Sequence, residues 1–459
     1  MKVTVFNGSP KGKHSVTYQS IRYLEVKYNE FEIKSFNVGQ EIKKITTDRG
    51  SFDTIMESVK ESQLIIWCYP VYTFLTPYQV VKFNELIFER HAEDAFKEKF
   101  ATQISTSKHF YDITAHDYVK SITADLGMTH LYGHMADMDD LLTEKGQKRL
   151  EDFGKEIIFK IDNNMVDFPE KANSEKPQLL EDKKIKPVQK IKGDKNVILL
   201  TDNKEEDSNL TKMITWLVES VPYDIKIVNL NDMKFQGGCL GCFKCAANGK
   251  CIYTDGFDKF HKENVLHSDC VIYAADINRH WFNAVWKCYD DRQFYNGHRT
   301  SSHGNGIGYL ISGNLSEEHN LRTILEARSE VGGLYLTDIV TDESDTETVI
   351  ERINQMAKKI TFFLENRPER PRNFYGTGGM KIFRDLIYVM RGLMKEDHKF
   401  YKREGLYDDF PQRQKKRILF MQLIGFLLRS KKMGPKIDAM MKEKILEPYE
   451  KILKDIKED

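Results

Sequence analysis

The feature that most limits what this chain can fold into is a cycle of short apolar run, polar turn and helical spacing that occupies its first third and then begins again. Residues 2–6 (Lys-Val-Thr-Val-Phe) are an apolar run that opens onto the polar stretch 7–17, and Ile21, Leu24 and Val26 follow at helical spacing. The cycle continues with strands expected at 31–36, 63–67, 100–105 and 128–132, and helices at 52–62, 78–91, 116–126 and 143–161. Five short strands alternating with helices predict a doubly wound parallel sheet with its ligand over the carboxyl ends of the strands.

Residues 163–195 are polar and carry Pro169, Pro177 and Pro187, so they read as a linker. The cycle then restarts, with strands expected at 196–200, 225–230, 269–275, 306–312 and 334–340, a helix capped by Ser208, and an end near Glu365. This is a duplication at domain scale. The expected organisation is a first domain at 1–165, a linker at 166–195, a second domain at 196–366 and a helical region at 367–459.

Two stretches carry chemistry. The first is Asn7 to Thr17, where strand, loop and helix succeed one another in the order that makes an anion site. Ser9, Ser15 and Thr17 offer hydroxyls, Gly8 and Gly12 let backbone amides turn inward, and Lys11 and Lys13 add positive charge. The loop lacks the spacing GxxxxGK[ST], so a phosphate monoester is expected ahead of a nucleoside triphosphate. A plain polar turn with a helix cap is the other reading. Further on, Cys68-Tyr-Pro-Val-Tyr-Thr-Phe-Leu-Thr-Pro77 and Thr106-Ser-Lys-His-Phe-Tyr111 each end a strand with rings and hydroxyls, walls suited to a flat aromatic ligand.

The second stretch holds Cys239, Cys242, Cys245 and Cys251, four of the chain's seven cysteines, among Gly237, Gly238, Gly241 and Gly249. Four soft thiolates on one glycine-containing loop suit a cubane iron–sulfur cluster or a structural zinc, with free thiols as the remaining reading. Cys68, Cys270 and Cys288 are scattered without the spacing of a disulfide framework, so a reducing cytoplasm is expected.

The motif Gly8-Ser9-Pro10-Lys11 with Ser15 and Thr17, then Pro70-Val71-Tyr72, then the 105–111 loop, resembles the flavodoxin-like NAD(P)H-dependent FMN reductase family over residues 1 to about 162. The resemblance implies two flavodoxin-like five-stranded parallel sheets of order 2-1-3-4-5, followed by a helical C-terminal tail. It implies FMN held at its phosphate by Ser9, Lys11, Ser15, Val16 and Thr17, and flanked at its ring by Pro70, Val71, Tyr72, Thr73, Phe74, Ser105, Thr106 and Ser107. NAD(P)H would be a transient co-substrate. The family's Ser-Asn-Thr is Ser15-Val16-Thr17 here, which removes one side-chain contact to phosphate. His109 and Tyr111 are the candidate catalytic groups, as proton donors to an acceptor or supports of the reduced ring.

The second copy resembles the iron–sulfur flavoprotein branch of the same family, which implies a 4Fe–4S cluster on Cys239, Cys242, Cys245 and Cys251. Its own phosphate loop, 201–208, instead has three acids in succession, Glu205, Glu206 and Asp207, which repel a phosphate dianion. Ile277-Asn-Arg-His-Trp-Phe282 stands where the ring loop belongs. The expectation is that the first copy keeps FMN, the second keeps the cysteine loop, and the fused pair sets the two side by side.

The function expected is an FMN-dependent NAD(P)H oxidoreductase of the cytoplasm that passes electrons among nicotinamide, FMN and the cluster to a small redox-active acceptor or a ferredoxin-like carrier. The alternatives are a cluster-free quinone, nitroaromatic or flavin reductase with zinc or free thiols, and a non-enzymatic electron carrier or redox sensor. A monomer with pseudo-dimeric halves and a homodimer are both compatible with this organisation. Lys+Arg 69 against Asp+Glu 69 gives no global field that calls for nucleic acid. The start reads as a strand rather than a signal segment.

The tail is rich in Met and Lys. Residues 374–379, Phe-Tyr-Gly-Thr-Gly-Gly, read as a flexible hinge, with close approach to a ligand as the other reading. The apolar run 418–428 is too short for a span of about 20 residues. No acid lies between Pro411 and Ile437, while Arg413, Lys415, Lys416, Arg417, Arg429, Lys431, Lys432 and Lys436 are basic. Two readings follow: a helix packed on protein with its lysines outward, or peripheral contact with an anionic membrane.

Overall fold

The computed structural model describes residues 1–165, 177–408 and 410–428. Pro169 of the expected linker and Arg429, Lys431, Lys432 and Lys436 of the basic tail lie outside them. The chain divides into one compact unit, Met1–His398, and a second that begins at Lys399.

The first cycle folds as β1 (Lys2–Asn7), α1 (Val16–Lys27), β2 (Glu32–Phe36), α2 (Val38–Thr47), α3 (Arg49–Glu61), β3 (Leu64–Pro70), α4 (Tyr78–Glu89), β4 (Phe100–Ser107), α5 (Asp112–Asp125), β5 (Thr129–His130), β6 (His134–Asp137) and α6 (Glu144–Asp162). Its strands are parallel in the order β2-β1-β3-β4-β5. β1 and β3 are buried on both sides because helices cover both faces, and Val3, Val5, Leu64, Ile66 and Ile104 form a core with Ile21, Leu24 and Phe153.

Two features depart from the expected cycle. Helix α2, with Val38, Ile42 and Ile45 buried, was not anticipated. The fifth strand is also broken, so that β5 pairs with Phe100 and Ala101 while β6 pairs with residues 104–107 of β4. At the break sits Gly133, where a Cβ would come within 2.8 Å of both the Gln103 carbonyl oxygen and the His116 ring.

The second cycle gives β7 (Val197–Thr201), α7 (Asn209–Ser220), β8 (Ile225–Asn229), α8 (Lys244–Asn248), α9 (Phe257–Phe260), β9 (Cys270–Asp276), α10 (Ala284–Arg292), β10 (Gly306–Ser312), α11 (His319–Gly332), β11 (Tyr335–Thr341) and α12 (Thr346–Asn366). Its sheet runs β11-β10-β9-β7-β8, all parallel, which is the expected 2-1-3-4-5 order repeated. Val197, Leu199, Ile272 and Leu310 pack against Leu217, Ile353 and Phe363 in its core.

The halves correspond in detail. Tyr72 and Leu75 form an isolated antiparallel bridge after β3, as Asn278 and Trp281 do after β9. Both tight turns hold two successive left-handed residues, Thr73 and Phe74 in one, Arg279 and His280 in the other. Helices α4 and α10 start three residues beyond each bridge and pack on one another. The Tyr78 N–H at the start of α4 donates to Asp291 Oδ2 at 2.7 Å, and the Ala284 N–H at the start of α10 donates to Glu85 Oε1 at 2.5 Å. Each helix thus supplies the anion that the other's amino end attracts, a pseudo-twofold cap.

Beyond the sheets are α13 (Phe374–Val389), α14 (Lys395–Arg403) and α15 (Lys415–Leu428). Residues 374–379 are the first turns of α13, capped by Asn373, and do not form the expected hinge. Their glycines serve close packing instead. A Cβ on Gly376 would meet the Glu330 carbonyl oxygen at 2.7 Å, and one on Gly379 would meet Val331 at 2.7 Å.

Candidate functional site

At the carboxyl end of β1 the chain turns on Gly8, whose N–H donates to the Cys68 carbonyl at 2.8 Å. The Ser9 N–H donates to Asn7 Oδ1 and the Lys11 N–H to Ser9 Oγ. Gly12 takes φ +54°, a left-handed value that costs a residue with a Cβ more than glycine. Close approach also needs Gly39, because a Cβ there would stand 2.2 Å from the Gly8 carbonyl oxygen. Ser15 caps α1 through the Tyr18 N–H, and Ser9, Ser15 and Thr17 are buried. The result is a polar cradle at a helix amino end, the arrangement that holds a phosphate.

The ring-side wall is the loop after β3. Its shape is held from the other half of the molecule. Lys287 Nζ, fully buried on α10, donates to the Tyr72 carbonyl at 2.8 Å and pairs with Asp291, which in turn accepts the Tyr78 N–H. Burial lifts the Asp291 carboxyl to about 6, with Lys287 pulling the other way. Thr106 closes the floor, its hydroxyl 2.5 Å from that of Thr17.

The cysteine loop of the second half seats on this wall. Gly241, at φ +59°, lies so near Tyr72 that a Cβ would stand 2.1 Å from the phenol oxygen, and one on Gly238 would stand 2.5 Å from the Tyr78 ring. Lys11 Nζ lies 5.3 Å over the Phe243 ring, and the Gln79 amide donates to the Cys239 carbonyl. Burial pushes the Cys239 thiol up, and burial with Cys251 and Cys242 nearby lifts Cys245 to about 11. The Cys239 sulfur accepts the Gly241 N–H, and Cys245 donates to the Phe294 carbonyl at 3.3 Å. As the side chains stand, no three His, Cys, Asp or Glu groups among the described residues converge as a metal site.

All these parts face one cavity of about 430 Å³, within the usual range of small-ligand sites. It is lined by Ser9, Lys11, Ser15, Val16 and Thr17, by Pro70, Val71, Tyr72, Thr73 and Phe74, by Thr106 and Ser107, and by all four cysteines of the loop. Three expected site residues are not brought to it. The Ser105 hydroxyl is taken up by His116 Nε2 at 2.8 Å, a ring that burial holds down to about 3 and so neutral. His109 Nδ1 pairs with Asp112 at 2.7 Å on the exterior side of its loop. The Tyr111 hydroxyl donates to the Tyr375 carbonyl of α13. Neither candidate catalytic side chain lines the cavity.

Apart from Phe110, which belongs to the expected 106–111 wall, the rest of the lining was not anticipated. An apolar wall comes from Phe110, which stacks on Phe383 with centroids 4.2 Å apart, together with Ile382, Leu386, Met390 and Met394. A polar end comes from Arg292, His298, Arg299 and Asp397. Arg292 is buried, donating from both terminal nitrogens to Asp255 at 2.7 Å and from one to the Gly237 carbonyl at 3.1 Å, which ties α10 to the cysteine loop. The run Lys287-Cys-Tyr-Asp-Asp-Arg292, charged groups among aromatic and apolar neighbours, is the sequence signal that could have drawn attention there.

At the equivalent strand end of the second half, protein side chains bond to one another. Asp202, at the carboxyl end of β7, accepts from Trp286 Nε1 at 2.8 Å and from the Asn283 amide. Asn203 bridges Ser208 and Thr211 across the acidic loop. Trp281, Phe282 and Trp286 are buried behind them.

Residues 1–137 match the model of a family described as NADPH-dependent FMN reductase. No curated protein matches the chain. Among solved structures it is similar to FerB of Paracoccus denitrificans, described as a flavoenzyme NAD(P)H:(acceptor) oxidoreductase, at 16% identity over 35% of this chain and 97% of that one, TM-score 0.30. It is also similar to a putative quinone reductase from Klebsiella pneumoniae, at 14% identity over 39% and 90%, TM-score 0.29. A third likeness is to general stress protein 14 of Treponema denticola in complex with FMN, at 8% identity over 36% and 100%, TM-score 0.27.

Proposed function

With the match of residues 1–137 to the NADPH-dependent FMN reductase family as premise, we propose that the chain is a flavin-dependent NAD(P)H oxidoreductase whose one FMN lies in the cavity between its halves. The observation that carries this is the lining itself. Phosphate-cradle residues, ring-loop residues and cysteines from opposite halves face one space. Such a cofactor supplies hydride uptake from nicotinamide and release of electrons to an acceptor. Ser9, Ser15 and Thr17 hold the phosphate with their hydroxyls, and Lys11 opposes its charge. Pro70 to Phe74 flank the ring, held in register by Lys287 and Asp291. Phe110, Phe383 and Leu386 keep water from the apolar side, where a small redox-active acceptor fits. His109 and Tyr111 have no part in this reading.

Cys239, Cys242, Cys245 and Cys251 fit a 4Fe–4S cluster in donor chemistry and in facing a common cavity. Convergence of the thiols needs the glycine-rich loop to rearrange. The second reading, favoured by the thiols as they stand, is a cluster-free reductase whose cysteines are free. We assign the chain to the cytoplasm, where seven free cysteines persist, and its domains to residues 1–165, 196–366 and 367–459.

Two measurements test this. Ser9→Asp with Lys11→Glu lowers retained flavin by at least about tenfold, through repulsion of the phosphate, while far-ultraviolet circular dichroism stays unchanged. Unaltered flavin content would refute the site. Iron and acid-labile sulfide in anaerobically purified protein reach about four each per chain if the cluster forms. Flavin without iron selects the second reading.

A further inference from the structure

Helix α15, Lys415–Leu428, belongs to the unit that begins at Lys399. Six of its large apolar side chains are exposed, Leu419 at 68%, Phe420 at 56%, Met421 at 53%, Leu423 at 56%, Phe426 at 73% and Ile418 at 42%, while Ile424 and Leu427 are half-buried. Four of them, 418–421, are successive and therefore reach round most of the helix circumference at 100° per residue. A helix made for a groove in a protein partner carries one apolar stripe and a polar back. This one has only Gln422 and Gly425 between its apolar residues.

Charge restricts the occupant further. Lys415, Lys416 and Arg417 form the first turn and are exposed, and Arg413 precedes them. The sequence adds Arg429, Lys431, Lys432 and Lys436 beyond the helix, outside the described residues, with no acid from Pro411 to Ile437. A second copy of the segment would bring these cations against their like. A bilayer with anionic headgroups satisfies both features: acyl chains take the rings and aliphatic groups, and phosphates take the lysines and arginines, whose long stems let their charged ends reach the surface. The helix is 14 residues long, about 21 Å at 1.5 Å per residue, against a hydrocarbon core of about 30 Å. It can lie in one leaflet but not cross.

We infer that α15 is an interfacial anchor that docks this protein on membranes rich in anionic phospholipid. The test is sedimentation of the full flavin-loaded chain with vesicles of phosphatidylcholine alone and with vesicles in which roughly a quarter of the lipid is phosphatidylglycerol. The chain pellets with the anionic vesicles at least about tenfold more than with the neutral ones, and raised salt lowers that binding. Phe420→Glu with Phe426→Glu, and separately the triple variant Lys415→Gln, Lys416→Gln, Arg417→Gln, each lose the binding while flavin absorbance and NAD(P)H oxidation are unchanged. Equal pelleting with both vesicles, or with neither, overturns the proposal. So does a lipid-free dimer that the Phe→Glu variant dissolves, because a second copy then covers the helix.

Discussion

At Gly241 and His280 the outcome rests on single residues. At Gly241 an added methyl meets two obstacles: φ is +59°, and the Tyr72 phenol oxygen lies 2.1 Å from where the Cβ would be. Gly241→Ala therefore costs about 1–3 kcal/mol in a thermal or urea melt and loosens flavin through displaced Tyr72. Adding Tyr72→Phe, which removes the obstructing oxygen, recovers part of both losses, and failure to recover any would mean that the backbone conformation alone sets the cost. His280 tests charge. Burial works against its cation, but Asp125 and Glu318, at 3.2 and 2.8 Å, win and lift it to about 9. The folded value exceeds the unfolded value near 6.5, so the stabilisation is complete below about pH 6.5 and is lost as pH rises through about 9. His280→Gln flattens that part of the urea-stability profile by on the order of 1–3 kcal/mol. What was legible at this scale was local. Ser9, Ser15 and Thr17 lie close along one loop and the four cysteines along another, so spacing alone draws attention to both. The diversion of Ser105 to His116, and of Tyr111 to the Tyr375 carbonyl, depends on elements that meet only after folding.

Helix α10 decides the site more than any element except the loops themselves. Lys287, Asp290, Asp291 and Arg292 are all buried, where charged side chains are rare unless paired, and each has its partner: Lys287 with Asp291 and the Tyr72 carbonyl, Asp290 with Arg328 at 2.5 Å, Arg292 with Asp255. Removing one member leaves the other uncompensated. Lys287→Met costs about 3–5 kcal/mol and loosens the ring loop, whereas Lys287→Met with Asp291→Asn recovers most of the stability because the asparagine oxygen still accepts the Tyr78 N–H. Equal destabilisation by single and double variants, measured in urea, would show that Lys287 acts without Asp291. The run Lys287 to Arg292 marks itself by charges among aromatic and apolar neighbours, but the pairing was not legible, because a helix bearing four charges in six residues carries no sign of burial until α4 docks upon it. Helix α13 falls in the expected helical region at 367–459, but its first turns were missed for a related reason. The glycines of 374–379 read as freedom, but they are small where α13 approaches Glu330 and Val331.

At the scale of the molecule the duplication was legible, since the strand and helix cycle visibly restarts near Asn196 and both sheets take the same order. The reciprocal caps between α4 and α10 were not, although they join the halves as a symmetric dimer would be joined. Asp202 accepts from Trp286 at the strand end of the second half, and that half supplies the cysteine loop, Arg292 and the two residues that hold the Tyr72 loop. On the proposed reading its role at the flavin is structural as much as chemical, and cutting the chain separates the two. A fragment of residues 1–165 contains every phosphate-cradle residue, but its Tyr72 carbonyl and Tyr78 N–H lose their partners on α10. It binds FMN at least about tenfold more weakly than the whole chain, since the ring loop must then be ordered at the expense of binding. Co-expression with a fragment of residues 177–459 restores the affinity, and Lys287→Met in that second fragment prevents the restoration. Full affinity in the isolated first fragment, measured by fluorescence quenching of added FMN, would mean that the cradle alone determines binding and that α10 contributes only to stability.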